Sequence, residues 1–240
     1  MAKSDYLAEL EQVSKQRQEA FMKNIAGRLG RERCTKPPEH PFRGAPPFWA
    51  SYDLSLEEKI SLFMENWQKV GGEATRVSNM EEAKAYIRNV VKSMEARYLL
   101  CFDQPELSSM ELEDQGPDVE VTYWNPEREE ELLAKAAGSD IGIGVVDYAV
   151  AHTGTILVMS SPFKGRATSL LPTAFMAIIK ADRLKTRLGE ALKEVSQLNQ
   201  QGEMPAGVHF VTGPSRSADI ENDLTIGVHG PGVMYAVIVG

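Results

Sequence analysis

A turn that combines hydroxyls, a guanidinium and carboxylates is equipped to hold a small anion. The segment Gly213-Pro214-Ser215-Arg216-Ser217-Ala218-Asp219-Ile220-Glu221 has all three. It follows the apolar run 208–212, and ligands in open α/β sheets collect beyond the carboxyl ends of strands, where loops offer free backbone N–H groups. Arg216 offers a two-pronged contact to carboxylate or phosphate. Ser215 adds a hydroxyl, Gly213 an accessible backbone, and Asp219 and Glu221 a base or an orienting group. The same types also suit a tight turn and helix cap with Arg216 paired to the nearby acids, and both readings stay open.

Three further segments carry similar chemistry. In Ala151-His152-Thr153-Gly154-Thr155 the glycine permits close backbone approach, the threonines offer hydroxyls, and His152 is a candidate acid, base or ligand. A β-turn with a solvated histidine is the alternative. Phe163-Lys164-Gly165-Arg166-Ala167-Thr168-Ser169 is a basic, glycine-containing loop that suits an anion, through Arg166 and Ser169, or an ordinary surface hairpin. His229-Gly230-Pro231-Gly232 either faces a strand-end cleft, with His229 as a proton acceptor, or is a Gly-Pro turn. The dinucleotide fingerprint is not met, because Asp147 stands where the third glycine after Gly142 and Gly144 would fall. With four dispersed histidines (His40, His152, His209, His229), no metal site is expected.

The elements that must position these residues alternate. Over 6–29, Leu7, Leu10, Val13, Phe21, Ile25 and Leu29 recur at helical spacing, which predicts one or two amphipathic helices. Residues 35–47 hold five prolines and read as an extended arm, anchored by Phe42, Phe48 and Trp49. From Ser55, which forms a capping box with Glu58, helices and strands alternate. Strands are expected near 74–77, 98–102, 119–124, 140–145, 154–159, 175–180, 208–212 and 233–239. Helices are expected from 55 to Gly71, over 81–96, over 127–137 and over 183–199, and 105–118 reads as a polar connection. This rhythm predicts an α/β fold with a mainly parallel sheet and helices on both faces. Residues 1–50 form the helix and proline-rich arm, and 51–240 the α/β domain.

Composition narrows the partners. The formal net charge is −8, from 26 basic and 34 acidic residues. Such a balance repels nucleic-acid backbones and anionic lipid surfaces but leaves room for a local anion pocket. The N-terminus has no apolar run, and the apolar stretches are too short for a membrane span, so a cytoplasmic protein is expected. Two cysteines, Cys34 and Cys101, are too few for the four thiolates of an iron–sulfur cluster.

Taken together, several segments resemble the lactate-utilization protein C family, built on the LUD domain. They are the opening helix with Phe21, Ile25-Ala26 and Leu29-Gly30-Arg31-Glu32-Arg33; Asp140-Ile141-Gly142-Ile143; Thr153-Gly154-Thr155; Gly165-Arg166-Ala167-Thr168-Ser169-Leu170-Leu171-Pro172; residues 212–221; and Gly227-Val228-His229-Gly230-Pro231. The resemblance implies a fold similar to the sugar-isomerase and CoA-transferase-like group. It also implies a subunit, rather than an enzyme on its own, of a system that oxidises L-lactate to pyruvate with iron–sulfur partner subunits. The cofactor stays open. The family often has glutamate where this chain has His152, and histidine supplies no permanent negative charge.

For a small carboxylate substrate, the candidate contacts are Thr153, Gly154, Thr155, Arg166, Ser169, Gly213, Ser215, Arg216 and Asp219, with His229 or Glu221 taking the proton. A non-catalytic scaffold and a free-standing acyl- or phosphate-transferring enzyme are the alternatives.

Overall fold

A computed structural model describes residues 3–36, 53–116, 118–218 and 223–240. The chain divides into two compact units, Met1–Ser51 and Tyr52–Gly240. In the first, α1 (Lys3–Arg28) is a single helix. Gly30, at φ 63°, turns the chain beyond it, and Arg33 folds back to pair with Glu19. Leu7, Leu10, Phe21 and Leu29 are exposed. Residues 37–52, with Phe42, Phe48 and Trp49, lie outside the described residues.

The second unit opens with α2 (Leu56–Lys69), whose capping box is formed as expected: Ser55 Oγ accepts from Glu58 N, and the Glu58 side chain accepts from Ser55 N. Then follow β1 (Glu73–Val77), α3 (Met80–Ser93), β2 (Tyr98–Cys101), α4 (Pro105–Ser108), β3 (Glu120–Tyr123), α5 (Glu129–Ala137) and β4 (Ile141–Val145). The second half comprises β5 (Tyr148–Val150), β6 (Thr155–Met159), α6 (Arg166–Leu170), β7 (Ala174–Lys180), β8 (Leu184–Lys185), α7 (Leu188–Gln201), β9 (Val208–Val211), β10 (Arg216–Ser217), β11 (Thr225–Ile226) and β12 (Val233–Val239). Among the described residues no helix is long and apolar enough to cross a membrane.

The main sheet has six strands in the order β1-β12-β7-β4-β2-β3, every neighbouring pair parallel. All of β4, all of β7 but Lys180, and all but the two end residues of β12 are buried, the mark of strands covered on both faces. Here the expectation of a mainly parallel α/β sheet holds.

Two strands expected to join it do not. The runs at 154–159 and 208–212 supply β6 and β9 of a separate four-stranded sheet, β8-β5-β6-β9. Its β6 pairs antiparallel with both β5 and β9. Alternation alone cannot assign a strand to a sheet. Both sheets share one core: Ala149, Ile156, Val158 and Leu184 cluster with Ile143, Met176 and Val237.

Candidate functional site

The Thr153 turn is seated on α2. Asn66 Nδ2 donates to the carbonyls of Ala151 at 3.0 Å and His152 at 3.1 Å. Gly154 has φ 56°, and a Cβ there would stand 2.6 Å from Trp67 N. Only glycine fits this close crossing. The hydroxyls are spent on one another: Thr155 Oγ1 lies 2.7 Å from Thr153 Oγ1 and 2.8 Å from Thr212 Oγ1.

That last contact brings in the second loop, which rests on the C-terminal end of the same helix. Gly213, at φ 72°, crosses Val70 so closely that a Cβ would meet Val70 Cγ2 at 2.7 Å. Arg216 is exposed and donates to the Val70 carbonyl, so its guanidinium caps the negative end of α2. Ser215 ties in the third loop. Its N–H donates to Pro231 O at 2.9 Å, its carbonyl accepts from Gly227 N at 2.9 Å, and its Oγ accepts from His229 N at 3.3 Å.

Thr153, Gly154, Thr155, Gly213, Ser215, Arg216 and His229 therefore form one linked group of turns around the end of α2. They sit at the amino ends of the parallel strands: Gly232 N donates to Thr173 O, just ahead of β7 and β12. Arg166 and Ser169 are not among them. Ser169 Oγ turns back to Arg166 O at 3.2 Å, buried in α6. Arg166 is exposed at the opposite end of α6 from Leu170, whose carbonyl adjoins Gly230. Asp219 and Glu221 lie outside the described residues.

A different set of residues gathers at the carboxyl ends. After β2 the chain runs outward to edge strand β3, whereas after β4 it runs toward β7. The connections leave in opposite directions, and a crevice opens at such a switch point. Gln104 bridges it, donating Nε2 to Val145 O at 3.0 Å and accepting from Val145 N at 2.9 Å. The cleft beyond it measures about 290 Å³ and is walled by Asp147, Tyr148, Lys180, Arg183, Glu194 and Gln197, among others.

Its charges are mostly paired. Lys164 Nζ lies 2.6 Å from Asp147, with side chains only 12% and 19% exposed. Lys180 lies 2.5 Å from Glu106, and Lys185 2.7 Å from Glu194. The hydrogen bond from Lys180 holds the Glu106 carboxyl below its ordinary value, and that from Lys185 does the same for Glu194. Arg183 is the exception. Its guanidinium lies 5.7 Å over the Tyr148 ring and has no carboxylate within ion-pair distance among the described residues. Three pairs and one unpaired cation leave one positive charge facing a small polar cavity, which suits a monoanion.

The members of this cleft sit singly after separate strands, so no one segment of the sequence marks it. The available signal was charge at strand ends, as in Lys180 and Asp147.

Comparison with known proteins agrees with this architecture. A family model described as the LUD domain matches residues 60–239. Lactate utilization protein C of Halalkalibacterium halodurans is 34% identical over 220 residues, covering 90% of this chain and 94% of that one. Its namesake in Bacillus subtilis is 30% identical over 223 residues, covering 90% and 93%. The crystal structure of a DUF162 family protein from Deinococcus radiodurans shares the fold. It has a TM-score of 0.59 at 22% identity and covers 78% of this chain and 100% of that one.

Proposed function

The chain belongs to the LUD domain family, and from that premise we propose that it is a component of a lactate-utilization system. In that system L-lactate is oxidised to pyruvate together with iron–sulfur partner subunits. Similarity to lactate utilization protein C along nearly the whole of both chains carries this reading. Oxidation of lactate releases two electrons and two protons. The chain holds two cysteines, and burial raises the pKa of the Cys101 thiol, so four thiolates must come from elsewhere.

The small carboxylate is best served by the cleft at the switch point. There the Arg183 guanidinium is in no ion pair among the described residues, although it helps Lys185 and the Tyr148 hydroxyl to hold Glu194 ionised, and Gln104 and Gln197 supply amide groups for the lactate hydroxyl. A second reading keeps the anion at Arg216, Ser215 and His229. It is favoured by their shared loop cluster and by the exposure of Arg216, whose remaining N–H groups are not committed to Val70.

Deleting the coding sequence should abolish growth on L-lactate and spare growth on glucose, and the tagged chain should co-purify with iron–sulfur proteins. Normal growth of the deletion strain on lactate would overturn the proposal.

A further inference from the structure

We propose that the cleft between α5 and α6 binds an amphipathic organic anion: a small molecule with an apolar body and one carboxylate, sulfonate or phosphate head. This goes beyond the lactate reading and does not rest on it. The cleft measures about 730 Å³, within the range of sites for cofactors and small ligands.

Its walls bring together Leu133 of α5, Leu170 and Leu171 at the end of α6, and Pro205, with Trp124 beneath. The three leucines are 42%, 41% and 47% exposed. The fold does not need them as core, because Leu100, Trp124, Leu132, Ala136 and Ala167 already form a closed cluster below. Several aliphatic side chains held in one concavity over a packed floor describe a preformed apolar pocket.

The head group is assigned by Arg166. A Cβ on Gly165 would stand 2.0 Å from the Trp124 ring, so the chain lies flat on the indole and fixes where Arg166 begins. Arg166 is exposed, and its guanidinium has no hydrogen bond or ion pair among the described residues. Neighbouring cations do have partners: Lys164 pairs with Asp147, Arg128 with Glu131, and Lys135 with Glu120. Glu129 and Glu203 also line the cleft, and neither reaches Arg166. An uncommitted guanidinium at the edge of an apolar cavity selects a ligand that is apolar at one end and anionic at the other.

Fluorescence titration with two probes of one shape tests this: 1-anilinonaphthalene-8-sulfonate and its uncharged counterpart N-phenyl-1-naphthylamine. The full chain should bind both saturably at one site. Arg166→Ala should weaken the sulfonate about tenfold and leave the neutral probe unchanged, whereas Leu133→Asp should weaken both. Arg166 and Leu133 are both exposed, so both variants should keep the parental melting temperature. Unchanged sulfonate affinity in Arg166→Ala would overturn the proposal. Absence of saturable binding by either probe would overturn it too, and would assign the leucines to a protein contact.

Discussion

Arg183 and Arg216 are both exposed guanidiniums, and what each already holds separates them. Arg216 is engaged at the end of α2, whereas Arg183 rests on a tyrosine ring. Arg183→Ala is therefore expected to weaken L-lactate or pyruvate binding about 5- to 100-fold in calorimetric titration, the effect of losing one charge-assisted contact. Arg216→Ala should instead lower stability by about 0.5 kcal/mol with binding intact. The reverse pattern would move the substrate to the loop cluster.

Glu106 adds a pH signature. Its folded pKa is depressed by Lys180, so its contribution is present above the ordinary value of 4.5 and is lost as pH falls through the lowered one. Urea unfolding should find Glu106→Gln less stable than the parent at pH 7, by less than about 1 kcal/mol for so exposed a pair. The gap should close as the pH falls below 4.5. A gap that persists at low pH would rule out the ion pair as its source. These partners were hidden in the sequence because Glu106 and Lys180 are 74 positions apart. The turn glycines and threonines were visible because each turn groups its chemistry within a few consecutive residues, as Thr153, Gly154 and Thr155 do, although what each turn packs against was not.

Helix α2 is the element on which the loop cluster depends. It carries the Thr153 turn through Asn66 and the Arg216 loop through Val70, and Trp67 Nε1 donates to Glu73 O at 3.0 Å to hold β1 beneath it. Removing the Asn66 amide takes a donor from the His152 carbonyl and leaves the Ala151 carbonyl with Gly154 N alone, so Asn66→Ala should destabilise the chain by about 1–3 kcal/mol. Urea denaturation measures it, and a loss below 0.5 kcal/mol, roughly the scale of a neutral surface change, would show that the turn stands without its helix.

This element was legible in advance because caps and amphipathic spacing are local signals. Others were not. The polar connection 105–118 contains α4, and Leu107, Met110 and Leu112 from it are buried. Spaced apolar residues among acids carry no periodicity over so short a stretch. The helix expected from 183 begins at Leu188, because Leu184 is drawn into β8 beside β5. That shift leaves Leu188 and Leu192 exposed and Ala191 and Val195 buried. Tertiary pairing there outweighed the helical pattern.

At the scale of the whole molecule, two sheets raise the question of how many things unfold. Side chains of β5, β6 and β8 lie in the same buried cluster as those of β4, β7 and β12, while the other face of the four-stranded sheet holds only a small cluster, Val150 and Leu157 against Ala191 and Val195 of α7. A shared core makes loss of one sheet expose the other, and the second unit should melt in a single transition. Ile156→Ala probes this. Ile156 is fully buried in β6, and truncating it should remove about 2–5 kcal/mol through lost burial and a residual cavity. If the core is common, the tryptophan signal of Trp67 and Trp124, both beside the main sheet, shifts by the same amount as the far-UV signal of the whole fold. A variant in which the far-UV signal loses part of its amplitude early while the tryptophan midpoint stays in place would mean that the four-stranded sheet opens by itself. The switch-point cleft would then have one mobile wall, since Tyr148 and Met159, which line it, belong to that sheet.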